Sequence, residues 1–122
     1  GCGANDFCFR GVERIHAILV QAGVYKRILS TEFGWMRDPR PACHFPDRAW
    51  YYVSEQQQAD YLVGAFAYAR QNWPWMGAMF VFNLDFNTVP WYDECEQMRF
   101  FGVKLTLAEA ALEAMPKLFW IP

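Results

Sequence analysis

The sequence predicts an α/β fold with parallel strand pairing, and three observations carry that prediction. Two short apolar runs with strand character, 26–33 and 79–84, are separated by a long helical stretch. The second run, Met79-Phe80-Val81-Phe82-Asn83-Leu84, is apolar almost throughout, as in strands of a parallel sheet covered on both faces. Helical patterns also precede the first run and follow the second, so the order is helix, strand, loop, helix, strand, loop, helix. Two strands joined through a helix pair in parallel by a right-handed crossover.

Each element has its own signal. Phe9, Val12, Ile15, Leu19 and Ala22 recur at three- and four-residue steps, one face of a helix, and Gly23 just beyond is a suitable terminating residue. Lys26 to Phe33 is a strand-like run bounded by Gly23 and Gly34, with Gly34 allowing a sharp turn. Residues 36–53 hold Pro39, Pro41 and Pro46 and no period, so they form a long loop of the kind that carries function. Ser54-Glu55-Gln56-Gln57 fits a capping box that opens the second helix, whose buried stripe is Ala59, Leu62, Val63, Phe66 and Ala69. That helix stops before Pro74, because a proline disfavours the α conformation in the residue ahead of it. A second loop runs from Asp85 to about Leu105. Thr106-Leu107-Ala108-Glu109 reads as another capping box, opening a last helix through about Met115.

Two parallel strands alone leave both outer edges unpaired, and parallel sheets are rarely so small or so exposed. The 122 residues therefore read as one incomplete domain, a piece of a larger sheet or barrel, and the absence of an initiator Met agrees. Exposed edges predict self-association of the chain in isolation.

Composition narrows the function classes. The 11 basic and 13 acidic residues are scattered, without the Lys/Arg cluster that tracks a phosphate backbone, so nucleic acid is not an expected partner. No apolar run approaches the roughly 18 residues of a membrane span, and Gly1 to Arg10 lacks the pattern of a secretory signal. Aromatics make up 19% of the chain, which suits either a large core or a cleft where sugar rings stack on Trp and Tyr faces. Cys2, Cys8, Cys43 and Cys95 lack metal-ligand spacing and the spacing of a redox pair. Cys43 and Cys95 fall in loops, where a disulfide and two free thiols are equally compatible with the sequence.

Chemistry concentrates at Ser30-Thr31-Glu32-Phe33-Gly34-Trp35. A carboxylate at the C-terminal end of a parallel strand faces the mouth at which α/β barrels keep catalytic groups. The stretch Thr31-Glu32-Phe33-Gly34-Trp35 resembles the nucleophile segment of the retaining (β/α)₈ glycoside hydrolases of the cellulase-like clan. Val53 to Val63 and Trp73 to Phe86 continue the resemblance, which covers about Phe9 to Lys117. It implies the C-terminal part of a TIM barrel, with the two strands standing as its seventh and eighth.

The resemblance further implies Glu32 as the nucleophile of a double displacement on β-linked saccharides. The paired acid/base belongs to the fourth strand of such a barrel, and no carboxylate here matches its motif. The chain on its own is therefore expected to be inactive. Phe82 stands near the position where the family often places a Trp platform under the sugar. Trp35, Trp91, Tyr52 and His44 are further candidate carbohydrate contacts, whereas His16, beside a helix's apolar face, reads as structural. No metal or organic cofactor is implied, because two carboxylates suffice for the chemistry. The parent protein of such a piece is expected to be extracellular or on the cell surface. A stand-alone module binding carbohydrate or protein through aromatic loops is the competing reading. It accounts for the aromatic excess and the missing acid, but not for Glu32 at a strand end or for open sheet edges.

Overall fold

The computed structural model describes residues 8–39, 41–43, 45 and 52–117. It is a small α/β domain: α1 Gly11–Gln21, β1 Ile28–Phe33, α2 Glu55–Asn72, β2 Met76–Val81, a 3₁₀ helix Gln97–Phe101, and α3 Leu107–Ala114. β1 and β2 pair in parallel, with Leu29 opposite Ala78, Ser30 opposite Met79 and Phe33 opposite Val81. The helix order and the parallel pairing are those expected from the periodicities.

Gly23 ends α1 at φ +74°, a left-handed conformation cheap only for glycine. Val24 N–H donates to Leu19 O at 2.8 Å and Gly23 N–H to Val20 O at 3.0 Å, the paired bonds of a Schellman motif. The capping box at Ser54 forms: Gln57 N–H donates to Ser54 Oγ at 3.1 Å and Ser54 N–H to Gln57 Oε1 at 2.8 Å. The second box does not close as expected. Thr106 Oγ1 accepts from Ala108 N–H, while Glu109 reaches past Thr106 to accept from Leu105 N–H at 2.7 Å. Leu105 itself stands at φ +60°, in the left-handed region. A second carboxylate, Glu55 from the first turn of α2, accepts from Leu107 N–H at 2.9 Å and so locks the starts of α2 and α3 together.

β2 begins and ends three residues earlier than its apolar run suggests. The last ladder bond is Phe82 N–H to Phe33 O at 2.8 Å. The Phe82–Asn83 peptide is cis, and Asn83 turns inward to donate from Nδ2 to Met98 O at 2.8 Å. Leu84 is thereby left outside the sheet and exposed.

The core lies between α2, α3 and one face of the sheet. Ala59, Leu62, Val103 and Ala108 form its buried centre, with Phe33, Trp35, Val81, Ala111 and Leu112 packed around them. On α2, Gln58 and Ala65 join Ala59, Leu62 and Ala69 in the buried stripe, while Val63 and Phe66 are half-buried. The other face of the sheet has no cover among the described residues. Leu29 is 58% exposed and Phe80 56%. α1 likewise buries no residue, leaving Ile15 and Ile18 each more than half exposed. It is held by its polar side. The Glu13 carboxylate accepts from Trp73 Nε1 at 2.9 Å and Tyr68 Oη at 3.1 Å, and pairs with the Arg10 guanidinium at 2.9 Å. His16 stacks on Trp75, with ring centroids 4.2 Å apart and planes 9° from parallel, in keeping with a structural histidine.

Candidate functional site

The C-terminal ends of β1 and β2 meet where the chain leaves the sheet twice. Side chains alternate across a strand, so with Phe33 packed against the α2 core, Glu32 falls on the opposite, open face. Thr31 is exposed beside it, because the register breaks between Ser30 and Phe33. Among the described residues nothing donates a hydrogen bond to the Glu32 carboxylate. It is a solvated carboxylate at the end of a parallel strand.

Gly34 follows at once, and its role differs from the turn expected of it. Its conformation is not left-handed; instead a Cβ here would strike the Phe82 carbonyl oxygen. The two strand ends approach too closely for any side chain between them.

Beneath this junction, buried amide and guanidinium groups stitch the loops to the helices. Gln58, wholly buried, donates from Nε2 to Trp35 O at 2.8 Å and Phe101 O at 3.3 Å. Arg37 donates to Gly102 O at 3.1 Å, and Arg37 and Val53 form an isolated bridge. Burial holds the Arg37 pKa below the ordinary guanidinium value, partly offset by the charge of Glu55. Arg37 Nε, Gln58 Oε1 and Asn83 Oδ1 are buried without a partner. Sequence reasoning missed Gln58 and Asn83 because a polar residue inside an apolar pattern gives no sign of whether it is buried.

The predicted contacts divide sharply. Phe82 sits at the strand ends with its ring edge-on to Phe86 at 5.4 Å and near Phe101 at 5.6 Å. Trp35 turns into the core, flanked by Phe9, Phe33 and Tyr61 at 5.9, 6.3 and 5.5 Å. Its ring is committed to packing there. Trp91 stands 78% exposed on the loop after β2, its ring 6.4 Å from Tyr92. Tyr52 is taken up by the loop backbone, its hydroxyl accepting from Phe45 N–H at 3.0 Å and donating to Phe45 O at 2.8 Å. His44 lies outside the described residues.

Cys43 and Cys95 form a disulfide that ties the loop after β1 to the loop after β2. Cys8 is disulfide-bonded as well. The pKa values of Glu13 and Asp85 are displaced, and both move down. Glu13 is held low chiefly by the Arg10 hydrogen bond, and Asp85 chiefly by the Asn87 N–H, with Lys104 Nζ 3.3 Å away. Neither is tuned to give up a proton near neutrality as a general acid must be. Among the described residues no cluster of His, Cys, Asp or Glu could hold a metal ion, and no helix is long and apolar enough to cross a membrane. An open pocket of about 200 Å³ between His16, Tyr25, Lys26, Arg27 and Trp75 lies at the opposite, N-terminal end of the strands, away from Glu32.

Family models, curated proteins and solved structures were compared with the chain, and none matches it.

Proposed function

We propose that Glu32 is the nucleophile of a retaining glycoside hydrolase acting on β-linked saccharides, and that this chain is the closing part of its (β/α)₈ barrel. One observation carries the reading: an unpartnered carboxylate at the C-terminal end of a parallel strand, on the sheet face that no described residue covers. A barrel interior would be that face. Further strands would pair with the two open edges, and a preceding strand would cover Ile15 and Ile18 of α1.

In this mechanism Glu32 attacks the anomeric carbon as a second carboxyl group protonates the departing glycosidic oxygen. The C–O bond to the leaving group breaks while the bond to Glu32 Oε forms, through an oxocarbenium-like transition state. The second group, now a carboxylate, takes a proton from water, and that water displaces Glu32 with the anomeric configuration restored. The partner must lie about 5–5.5 Å from Glu32. Asp85 and Glu13, held ionised by their neighbours, do not suit that role; the resemblance to the cellulase-like clan places the partner on the fourth strand of the barrel.

The test uses the product of the complete reading frame and an activated aryl β-glycoside. Glu32→Gly should abolish turnover, and added azide, a small anion that fits the vacated space, should restore release of the aryl group and yield an α-glycosyl azide. Turnover unaffected by Glu32→Gly, or a silent variant that azide does not rescue, would overturn the assignment.

A further inference from the structure

We propose that the pocket at the N-terminal end of the strands is a second ligand site, which takes a small planar-ring compound carrying a phosphate or sulfate group. The inference does not depend on the reading of Glu32, which lies five residues along the chain from Arg27, about 16 Å of extended backbone away.

The pocket, about 200 Å³, is lined by His16, Tyr25, Lys26, Arg27 and Trp75. One wall is rigid. Trp75 stacks on His16, with ring centroids 4.2 Å apart and planes 9° from parallel, and on Trp73 at 5.3 Å and 26°. Trp73 is itself pinned, being buried and donating from Nε1 to Glu13 at 2.9 Å. The imidazole is thus held by its face, which leaves its nitrogen-bearing edge for a ligand. The opposite wall is the stretch between Gly23, where the chain turns out of α1, and Ile28, whose N–H donates to Trp75 O at 3.1 Å. Gly77 sets how near this stretch comes to β2. A Cβ there would stand 2.8 Å from Leu29 Cδ2 and 3.3 Å from Arg27 Cβ, so the Arg27 stem lies against the strand.

Charge and exposure choose the ligand. Residues 11–27 and 73–82 hold Arg14, His16, Lys26 and Arg27 against one acid, Glu13. That acid is already engaged: it pairs with Arg10 at 2.9 Å and accepts from Trp73 and Tyr68. No carboxylate lines the pocket. A guanidinium, an ammonium and an imidazole around one cavity match the oxygens of a phosphate or sulfate. The cavity is larger than the oxyanion alone requires, and Tyr25, 79% exposed, gives the remainder of the ligand a face to stack on.

The product of the complete reading frame would be titrated calorimetrically, at low ionic strength, with inorganic phosphate, phenyl phosphate, phenyl sulfate and benzyl alcohol as the neutral control. At least one of the two esters should bind in the millimolar range or tighter, and more tightly than inorganic phosphate or benzyl alcohol. Whichever ester binds better separates a phosphate source from a sulfate one. Lys26→Gln should raise the dissociation constant roughly two- to fivefold, the scale of one exposed ion pair. Tyr25→Ala should bring the ester down to the affinity of inorganic phosphate. Both side chains are exposed, so neither substitution threatens folding. Wild type that binds neither ester, benzyl alcohol bound as tightly as the esters, or either variant titrating like wild type would overturn the site. Turnover of an aryl β-glycoside should be the same in both variants as in wild type, and its loss would overturn the pocket as a separate site. The azide test of Glu32 stands or fails apart from all of these outcomes.

Discussion

The Phe82 carbonyl oxygen occupies the space that a Cβ on Gly34 would need. The contact joins the exits of the two strands, one residue beyond Phe33 and one beyond Val81, and so sets where Glu32 sits relative to Phe82. Gly34→Ala must push one strand end away from the other. We expect a loss of about 1–3 kcal/mol of stability, the usual cost of overpacking a tight site. If Glu32 is catalytic, activity should fall by more than that stability loss accounts for. Chemical denaturation and kcat/KM measured on the same preparation separate the two effects, and an Ala variant indistinguishable from wild type would show that the contact is slack.

Glu13 makes stability depend on acid. Its folded pKa lies below the ordinary value of 4.5, chiefly through the Arg10 hydrogen bond, with help from Trp73 and Tyr68. A carboxyl depressed in the folded state contributes stability that is complete above its unfolded pKa and is lost as pH falls through the folded one. Unfolding midpoints should therefore drop below about pH 4.5 in wild type. Glu13→Gln, which keeps an acceptor but not the charge, should be less stable near neutrality and lose less on acidification. Parallel slopes for the two proteins would refute this.

The Cys43–Cys95 bridge closes a loop with a sequence separation of 52 residues. In the chain-entropy account a closed loop of that length stabilises by roughly 4 kcal/mol, with typical measured values nearer 2–4. The double variant Cys43→Ser, Cys95→Ser should lose stability on that scale. Hydrogen exchange of the Asn87 and Cys95 amides should also speed up, since the Arg99 bonds to the loop carbonyls would then hold it without the covalent tie. Unchanged exchange there would mean that Arg99 suffices.

Glu55 serves two helices, capping Leu107 N–H at the start of α3 and placing its charge near Arg37. Glu55→Ala should cost about 0.5–2 kcal/mol, the range for a lost helix cap. Glu55→Gln, which can still accept from Leu107, should recover most of it. A Gln variant as unstable as Ala would instead assign the effect to the charge near Arg37.

The 122-residue chain by itself should turn over natural glycosides at little or no detectable rate. A general acid is worth about 10²–10⁴-fold, and the proposed mechanism takes it from another strand of the barrel. Its open sheet edges and the exposed Leu29 and Phe80 should make it self-associate, visible by sedimentation. A monodisperse monomer that cleaves an unactivated oligosaccharide in a Glu32-dependent way would contradict both the barrel reading and the need for a distant acid.

The local elements were written in the chain by itself. Apolar steps of three and four residues mark α1 and α2, Gly23 ends the first, Ser54 and Gln57 begin the second, and the apolar run 79–84 announces β2, three residues late. These signals act over a few residues, through backbone dihedrals and neighbouring hydrogen bonds, so the sequence carries them without knowledge of the fold. The tertiary structure decided the rest, because it depends on groups far apart in the chain. The end of β2 at Val81 is set by Phe33 and Met98. Trp35 is drawn into the core by Phe9 and Tyr61, while Trp91 lies exposed on a loop tied down by Arg99 and the Cys43–Cys95 disulfide. Residue type announced that Glu32, Trp35 and Trp91 could carry chemistry. Which of them faces solvent follows from strand alternation, packing and loop closure, and those are properties of the folded chain.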